Sequence, residues 1–200
     1  MPFTLETYQK FIQEIEIMDP IIHKIVKKYG FLKPTPKRNL FALLVGSIIG
    51  QKIKFSFARK LRGKLYIKLG TDDFYPSDIN NLGKDGLKNI GILKFQYEII
   101  LRIVTFLCEK NQNLIIPHDL ESIRHIKGVG NWTINCTKIM YALNANDDEF
   151  DVEILYQDLI IKRGIQKLYG KSKPNDIQIL SLKWKPWRGL ITWYLWKEFT

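Results

Sequence analysis

Cysteine is nearly missing from this chain: Cys108 and Cys136 are the only two, and no Cys-x-x-Cys pair occurs. Two thiols are too few for a thiolate zinc site or a four-cysteine iron–sulfur cluster. Both lie inside apolar helical patterns and read as small buried hydrophobes of a reduced compartment. Long hydrophobic runs are also missing. The longest, "LFALLVGSIIG" (40–50), is too short to span a bilayer. The N-terminal "MPFTLETYQKFIQEIEIMD" is acidic and lacks the basic, apolar, small-residue order of a secretion signal. Apolar residues rarely alternate with polar ones over more than four positions, so strands are not expected. There is no simple repeat and no low-complexity tract. These absences leave a soluble intracellular protein of the all-α class.

Acidic residues are in short supply relative to basic ones. Against 31 Lys and Arg stand 20 Asp and Glu, a formal net charge of +11. A polyanionic partner is expected, nucleic acid first and an acidic membrane surface second. Helical periodicity dominates the rest. Tyr8, Phe11, Ile12 and Ile15 share one face, and Ile21, Ile22, Ile25, Val26 and Tyr29 another that ends at Gly30. A buried helix is expected over 40–50, a basic amphipathic one over 54–70, pieces broken at Gly83, Gly86 and Gly91, and a clear helix over 94–110. Asp119 reads as an N-cap, with Leu120, Ile123 and Ile126 on one face. Trp132, Cys136, Ile139, Met140 and Leu143 form a further stripe. "NANDDEFD" reads as a linker, "QDLIIKRGIQKLYG" as a short helix, and "KPWRGLITWYLWKEF" as a last amphipathic one.

The stretch "HIKGVGNWTI" (125–134) reads as a hairpin turn between two helices. Gly128 and Gly130 permit positive φ and close approach of another molecule. The N–H groups of Val129, Gly130 and Asn131 then lie at a helix N-terminus, where the dipole favours a phosphate oxygen, with Lys127 as a cation beside them. Such a device holds a DNA backbone without reading sequence. Taken alone, the same residues also suit an ordinary turn. Downstream, Asp158 opens "DLIIKRGI" where a carboxylate suits a helix start.

Hairpin, linker and then Asp-x-x-x-Lys/Arg-Arg-Gly together resemble the helix-hairpin-helix DNA glycosylases, in particular the 3-methyladenine DNA glycosylase II type. The resemblance runs in order through "MDPIIHKIVKKYG", "LFALLVGSIIGQKIKFSFARKL", "LKNIGILKFQYEIILRIV", "LESIRHIKGVGNWTINCTKIMYAL", "QDLIIKRGIQKLYG" and "WKPWRGLITWYLWKEF". It implies an all-α fold of two helical subdomains with a cleft between them. The expected division is 1–38, N-terminal helices packing with the C-terminal part; 39–145, ending in the hairpin; and 146–200, carrying Asp158.

The resemblance implies that Asp158 is the catalytic aspartate, stabilising oxocarbenium charge on the sugar or positioning a water. Gln157 would only orient. Trp132 stands where backbone-cleaving relatives keep a Schiff-base lysine, which implies a monofunctional enzyme. A flipped, cationic purine calls for aromatic stacking, for which Trp132, Trp184 and Trp187 are candidates; like Trp193 and Trp196, they could equally fill the core. Gln51 matches a family glutamine that faces the lesion, and Ile92 or Leu93 could wedge into the gap; burial of Ile92 and Leu93 is the competing reading. The expected substrate is duplex DNA with alkylated purines, deaminated bases or a non-catalytic DNA-binding role being the alternatives. No metal or cofactor is expected beyond a monovalent cation at the hairpin when DNA is bound, and the chain is expected to act as a monomer. The Phe-Pro and first acid usual before the catalytic residue are missing from "ILYQD", so Asp151 and Glu153 remain minor alternatives. Cys136 replaces an aromatic of some relatives. The β-rich N-terminal domain of longer relatives is not expected, because helical patterning begins at about residue 5.

Overall fold

Apolar residues spaced three and four apart have folded into helices almost everywhere the sequence places them. The computed structural model describes residues 4–32, 38–112, 114, 116–142 and 152–199. Among the described residues there are eleven α-helices, one 3-10 helix and no strand. No helix among them is long and apolar enough to cross a membrane. Two units are distinguishable: a terminal unit, Met1–Pro36 with Lys138–Thr200, and a central unit, Lys37–Thr137. The boundary expected after 145 thus falls after Thr137.

The chain enters the terminal unit with α1 (Leu5–Met18) and α2 (Pro20–Tyr29). Asp19 separates them and caps α2, its side chain accepting from Ile21 N and Ile22 N at 3.1 Å each. Pro20 at the first helical position needs no partner for the N–H it lacks. Gly30 closes α2 at φ 61°, as the sequence implies.

The central unit starts with α3 (Leu40–Ile49), which is buried on every side except at Gly46. A helix apolar all round can only be a core helix. Packed on it are α4 (Phe55–Leu69) and α6 (Lys94–Glu109), with α5 (Pro76–Ile90) packed on both of those. In α5 the backbone breaks at Gly83 (φ 65°) and ends at Gly91 (φ 93°), but Gly86 remains helical, contrary to expectation. A 3-10 helix (Pro117–Ile123) precedes the hairpin. Asp119 lies inside it rather than capping it, and accepts from Ile116 N at 3.0 Å. Cys108 is exposed, not buried, because it falls on the solvent side of α6; Cys136 is buried as expected.

The hairpin helix α7 (Asn131–Ala142) follows, and Leu143 and the linker expected after it lie outside the described residues. The terminal unit resumes with α8 (Ile154–Gln157), α9 (Leu159–Tyr169), α10 (Pro174–Leu182) and α11 (Arg188–Phe199). Helix α10 was not legible, since "PNDIQILSL" carries only a short apolar pattern. The last helix begins at Arg188 rather than Lys185, following a turn that contains the cis Lys185–Pro186 bond. Helix α11 packs on α2 and α9 over a core built from Phe11, Ile22, Ile161, Ile165, Trp184 and Tyr194.

Candidate functional site

The hairpin of the central unit uses its two glycines differently. Gly128 has φ 105°, and a Cβ there would lie 2.4 Å from Ile99 Cγ1. It is glycine for the fold's own reasons: the backbone conformation and the packing of α6 both demand it. Gly130 has no positive φ, and nothing lies within 4 Å of where its Cβ would stand. The space over Gly130 is open to another molecule.

The donors at this turn also divide. Val129 N–H, expected to be unpaired, donates to Ile126 O at 3.0 Å, and the Val129 side chain is buried. The N–H groups of Gly130 and Asn131 have no partner among the described residues, and the Gly130 carbonyl accepts the first bond of α7 from Ile134 N at 3.2 Å. Among the described residues the donors left unpaired at this helix end are therefore those of Gly130 and Asn131, not Val129. Lys127 is exposed beside it, with its carbonyl held by Arg102 Nη1 at 3.1 Å. The Asn131 side-chain oxygen accepts from Arg124, which is also bidentate on Glu121 at 2.6 and 2.8 Å.

A buried polar network sets the hairpin against α3. Gln51, just past α3, donates from Nε2 to Gly128 O (3.1 Å) and Thr133 Oγ1 (2.7 Å). Its Oε1 has no partner among the described residues. Gln96 is fully buried and satisfied: Nε2 donates to Ile49 O (2.8 Å) and Gln51 O (3.2 Å), while Oε1 accepts from Leu93 N (3.2 Å). Thr137 Oγ1 donates to Thr133 O at 2.8 Å and bonds Ser47 Oγ at 3.1 Å. Gln96 was missed by sequence reasoning, although a lone amide among the apolar residues of "KFQYEIIL" is the signal that could have found it.

Asp158, in the terminal unit, is 4% exposed and caps α9. Its Oδ1 accepts from Ile160 N (2.9 Å) and Ile161 N (3.0 Å). Its Oδ2 has no partner among the described residues. Burial pushes its pKa up from the usual carboxylate value, against the opposing pull of the Ile161 and Ile160 N–H groups. The carboxylate is thus both a cap and a poorly solvated anion with one oxygen in reserve. Gln157 is exposed, and its amide is held by Glu153 Oε2 at 2.6 Å. Glu153 is exposed as well, which gives it the weaker claim to the same role, and Asp151 lies outside the described residues.

The tryptophans part company. Trp132 is 41% exposed at the start of α7, its ring 3.6 Å from where a Gly50 Cβ would stand. Trp184 is fully buried and donates Nε1–H to Asp19 Oδ2 at 2.8 Å. Trp187 is buried too, tilted on Phe11 at 5.4 Å and donating to Glu14 Oε2 at 2.6 Å. Within their unit both are core residues, so their candidacy as stacking partners gives way to packing. Ile92 is likewise buried, at 3% exposure, because it turns inward behind Gly91; Leu93 at the head of α6 stays half-buried. No cluster of three or more His, Cys, Asp or Glu suited to a metal exists among the described residues.

No family model matches the chain. It is 23% identical to a DNA-3-methyladenine glycosylase of Bacillus subtilis (strain 168), across 92% of the chain and 65% of that relative's length. It is 23% identical to the alkylbase DNA glycosidase-like protein mag2 of Schizosaccharomyces pombe, across 95% of the chain and 93% of the relative. Among solved structures it shares the fold of a DNA-3-methyladenine glycosidase from Bacillus halodurans, with a TM-score of 0.59 at 22% identity, covering 94% of this chain and 88% of the other.

Proposed function

We infer that the chain belongs to the helix-hairpin-helix DNA glycosylases and hydrolytically removes alkylated purines, 3-methyladenine and 7-methylguanine, from duplex DNA. The observation that carries this reading is Asp158, a buried carboxylate with Oδ1 occupied and Oδ2 without a partner among the described residues, in a chain similar to alkylbase glycosidases. In this reading Gly130 and Asn131 hold a backbone phosphate, with Lys127 adding charge. The partner is double-stranded DNA, held by its backbone, so the protein acts inside the cell, and as a monomer.

Departure of the base builds positive charge on the sugar. A carboxylate already disfavoured by burial is most strongly stabilised when a cation forms beside it. N-alkylation makes the purine cationic before it leaves, so no acid has to protonate it. The exposed face of Trp132 supplies the stacking that favours an electron-poor ring over a normal one. Gln51 holds the hairpin through Nε2 and turns Oε1 to the lesion, and Leu93 is the remaining wedge candidate.

Trp132 has no amine, so no Schiff base forms with the sugar and the backbone stays intact. No cofactor takes part in this chemistry. At the hairpin the carbonyls of Ile126, Lys127 and Gly128 each already accept a hydrogen bond, and a monovalent cation held there would use their second lone pairs or the Val129 carbonyl, which has no donor among the described residues.

The test is release of free base from methylated duplex DNA, with single-lesion duplexes carrying 3-methyladenine, 7-methylguanine, uracil or hypoxanthine as the panel. Release of the methylated bases, its loss in Asp158→Asn, and no borohydride-trapped adduct are expected. Full activity in Asp158→Asn, or release of the neutral bases alone, overturns the reading.

A further inference from the structure

We propose that α4 carries a second DNA-backbone surface, separate from the hairpin, that grips the duplex flanking the lesion. Helix α4 (Phe55–Leu69) contains Arg59, Lys60, Arg62, Lys64 and Lys68 and not one acidic residue. Its inner face is accounted for: Ala58, Leu61 and Leu65 are buried, and Arg62 reaches the Gly46 carbonyl at 3.2 Å. The outer face is a different matter. Lys60, Lys64 and Lys68 follow at four-residue intervals and share it, with Arg59 on its border, and all four are exposed. Among the described residues no carboxylate pairs with any of them.

That arrangement is unfavourable for an isolated helix, because like charges four apart repel. Some exposed cations of this protein are neutralised locally, Arg124 by Glu121 and Lys28 by Glu198, as is the largely buried Arg38 by Asp72. A stripe left unneutralised fits a polyanion with regularly spaced charges. From Lys60 to Lys68 the helix rises about 12 Å, a length over which a DNA strand presents three or four phosphates. The stripe also begins close to the hairpin along the chain. Gln51, bonded to Gly128 O, lies just before α4, and the exposed Lys52 and Lys54 stand between them.

An anionic membrane is the other surface such a helix could meet. It is disfavoured because immersion needs a continuous apolar face, and the one α4 has is already buried in the unit. Among the described side chains of α4 the exposed large apolar ones, Phe57 and Ile67, are ten positions apart and do not make a second.

The proposal needs only that DNA is bound, not that a base is released, so the two can fail separately. The full chain and the triple variant Lys60→Gln, Lys64→Gln, Lys68→Gln are titrated with undamaged duplexes of about 10 and about 24 base pairs at several salt concentrations. On the longer duplex the salt slope should fall by nearly three, at about 0.9 per lost phosphate contact, and on the shorter one it should barely change. The triple Lys→Arg variant should restore the slope, which separates charge from folding. Thermal unfolding of the Gln variant should be unchanged or later, since repulsion is removed. An unchanged slope on the long duplex overturns the proposal, as does a variant that loses binding to phosphatidylserine vesicles while keeping its DNA slope.

Discussion

Trp184 donates its indole N–H to Asp19 Oδ2 at 2.8 Å, and this bond separates two aspartates that are otherwise built alike. Asp19 and Asp158 each cap a helix through Oδ1, bonded to the N–H groups two and three residues on. Tyr169 completes the coordination of Asp19 by donating to Oδ2 at 2.8 Å. At Asp158 the second oxygen has no such donors among the described residues. The first aspartate is structural on both oxygens; the second is structural on one.

Asparagine caps a helix as well as aspartate does, which makes substitution at these two sites a direct comparison. At neutral pH Asp158→Asn should keep or raise its melting temperature and lose base release by at least about 100-fold, the scale of removing one preorganised electrostatic partner. Asp19→Asn sets an NH2 group against the Trp184 N–H, and the mismatch should cost about 1–3 kcal/mol. Its folded fraction should still release base at the normal rate. Thermal unfolding and single-turnover assays on both variants measure the contrast, and equal losses of activity would remove the distinction.

The acid side of the pH profile follows from the same carboxylate. Burial raises the folded-state pKa of Asp158, so the fold favours the protonated form. That stabilisation is fully present below the ordinary carboxylate range, about pH 4, and is lost as pH rises through the raised value. Relative to wild type, Asp158→Asn should therefore gain stability on going from acid to neutral pH. In the proposed chemistry base release needs the ionised form, so its acid limb should stand above the usual carboxylate range. Chemical denaturation and single-turnover rates across pH check the two trends, and a stability difference that does not vary with pH argues against the burial effect.

The hairpin glycines should respond in opposite ways. Gly128→Ala forces a Cβ against Ile99 at a positive φ, and overpacking with backbone strain should together cost at least about 2 kcal/mol. Gly130→Ala meets open space and should change stability by less than about 0.5 kcal/mol. It should nevertheless weaken binding to duplex DNA, because the added methyl group occupies the approach of the phosphate. Paired unfolding and binding titrations decide the matter, and wild-type affinity in Gly130→Ala would place the phosphate elsewhere.

Much of this was legible before any coordinates. The helices α2, α3 and α6 follow from unbroken apolar spacing, and Gly30 and Gly91 end their helices where a left-handed residue is needed. Asp158 was legible as a cap and, through resemblance, as a candidate for more. What the pattern could not supply was burial of a polar side chain at long range. Gln96 joins α6 to residues more than forty positions earlier, and Asp19 meets Trp184 far along the chain. Nor does local sequence distinguish a tryptophan that fills a core from one that stands outside it, since both occupy apolar stripes.

That distinction yields the last expectation. Trp132 is exposed at the head of α7, so Trp132→Ala should cost far less than truncating a core tryptophan, about 1 kcal/mol or less. Stacking on a base is worth about 1–3 kcal/mol, so release of a methylated purine should slow by about 5- to 150-fold. Trp184→Phe keeps most of the ring volume but leaves Asp19 Oδ2 short of a donor. It should lose about 1–3 kcal/mol of stability while the folded enzyme works normally. Single-turnover rates measured below the melting transition of each variant separate the two roles. If Trp184→Phe slowed base release as much as Trp132→Ala at equal folded fraction, the core assignment of Trp184 would have to be abandoned.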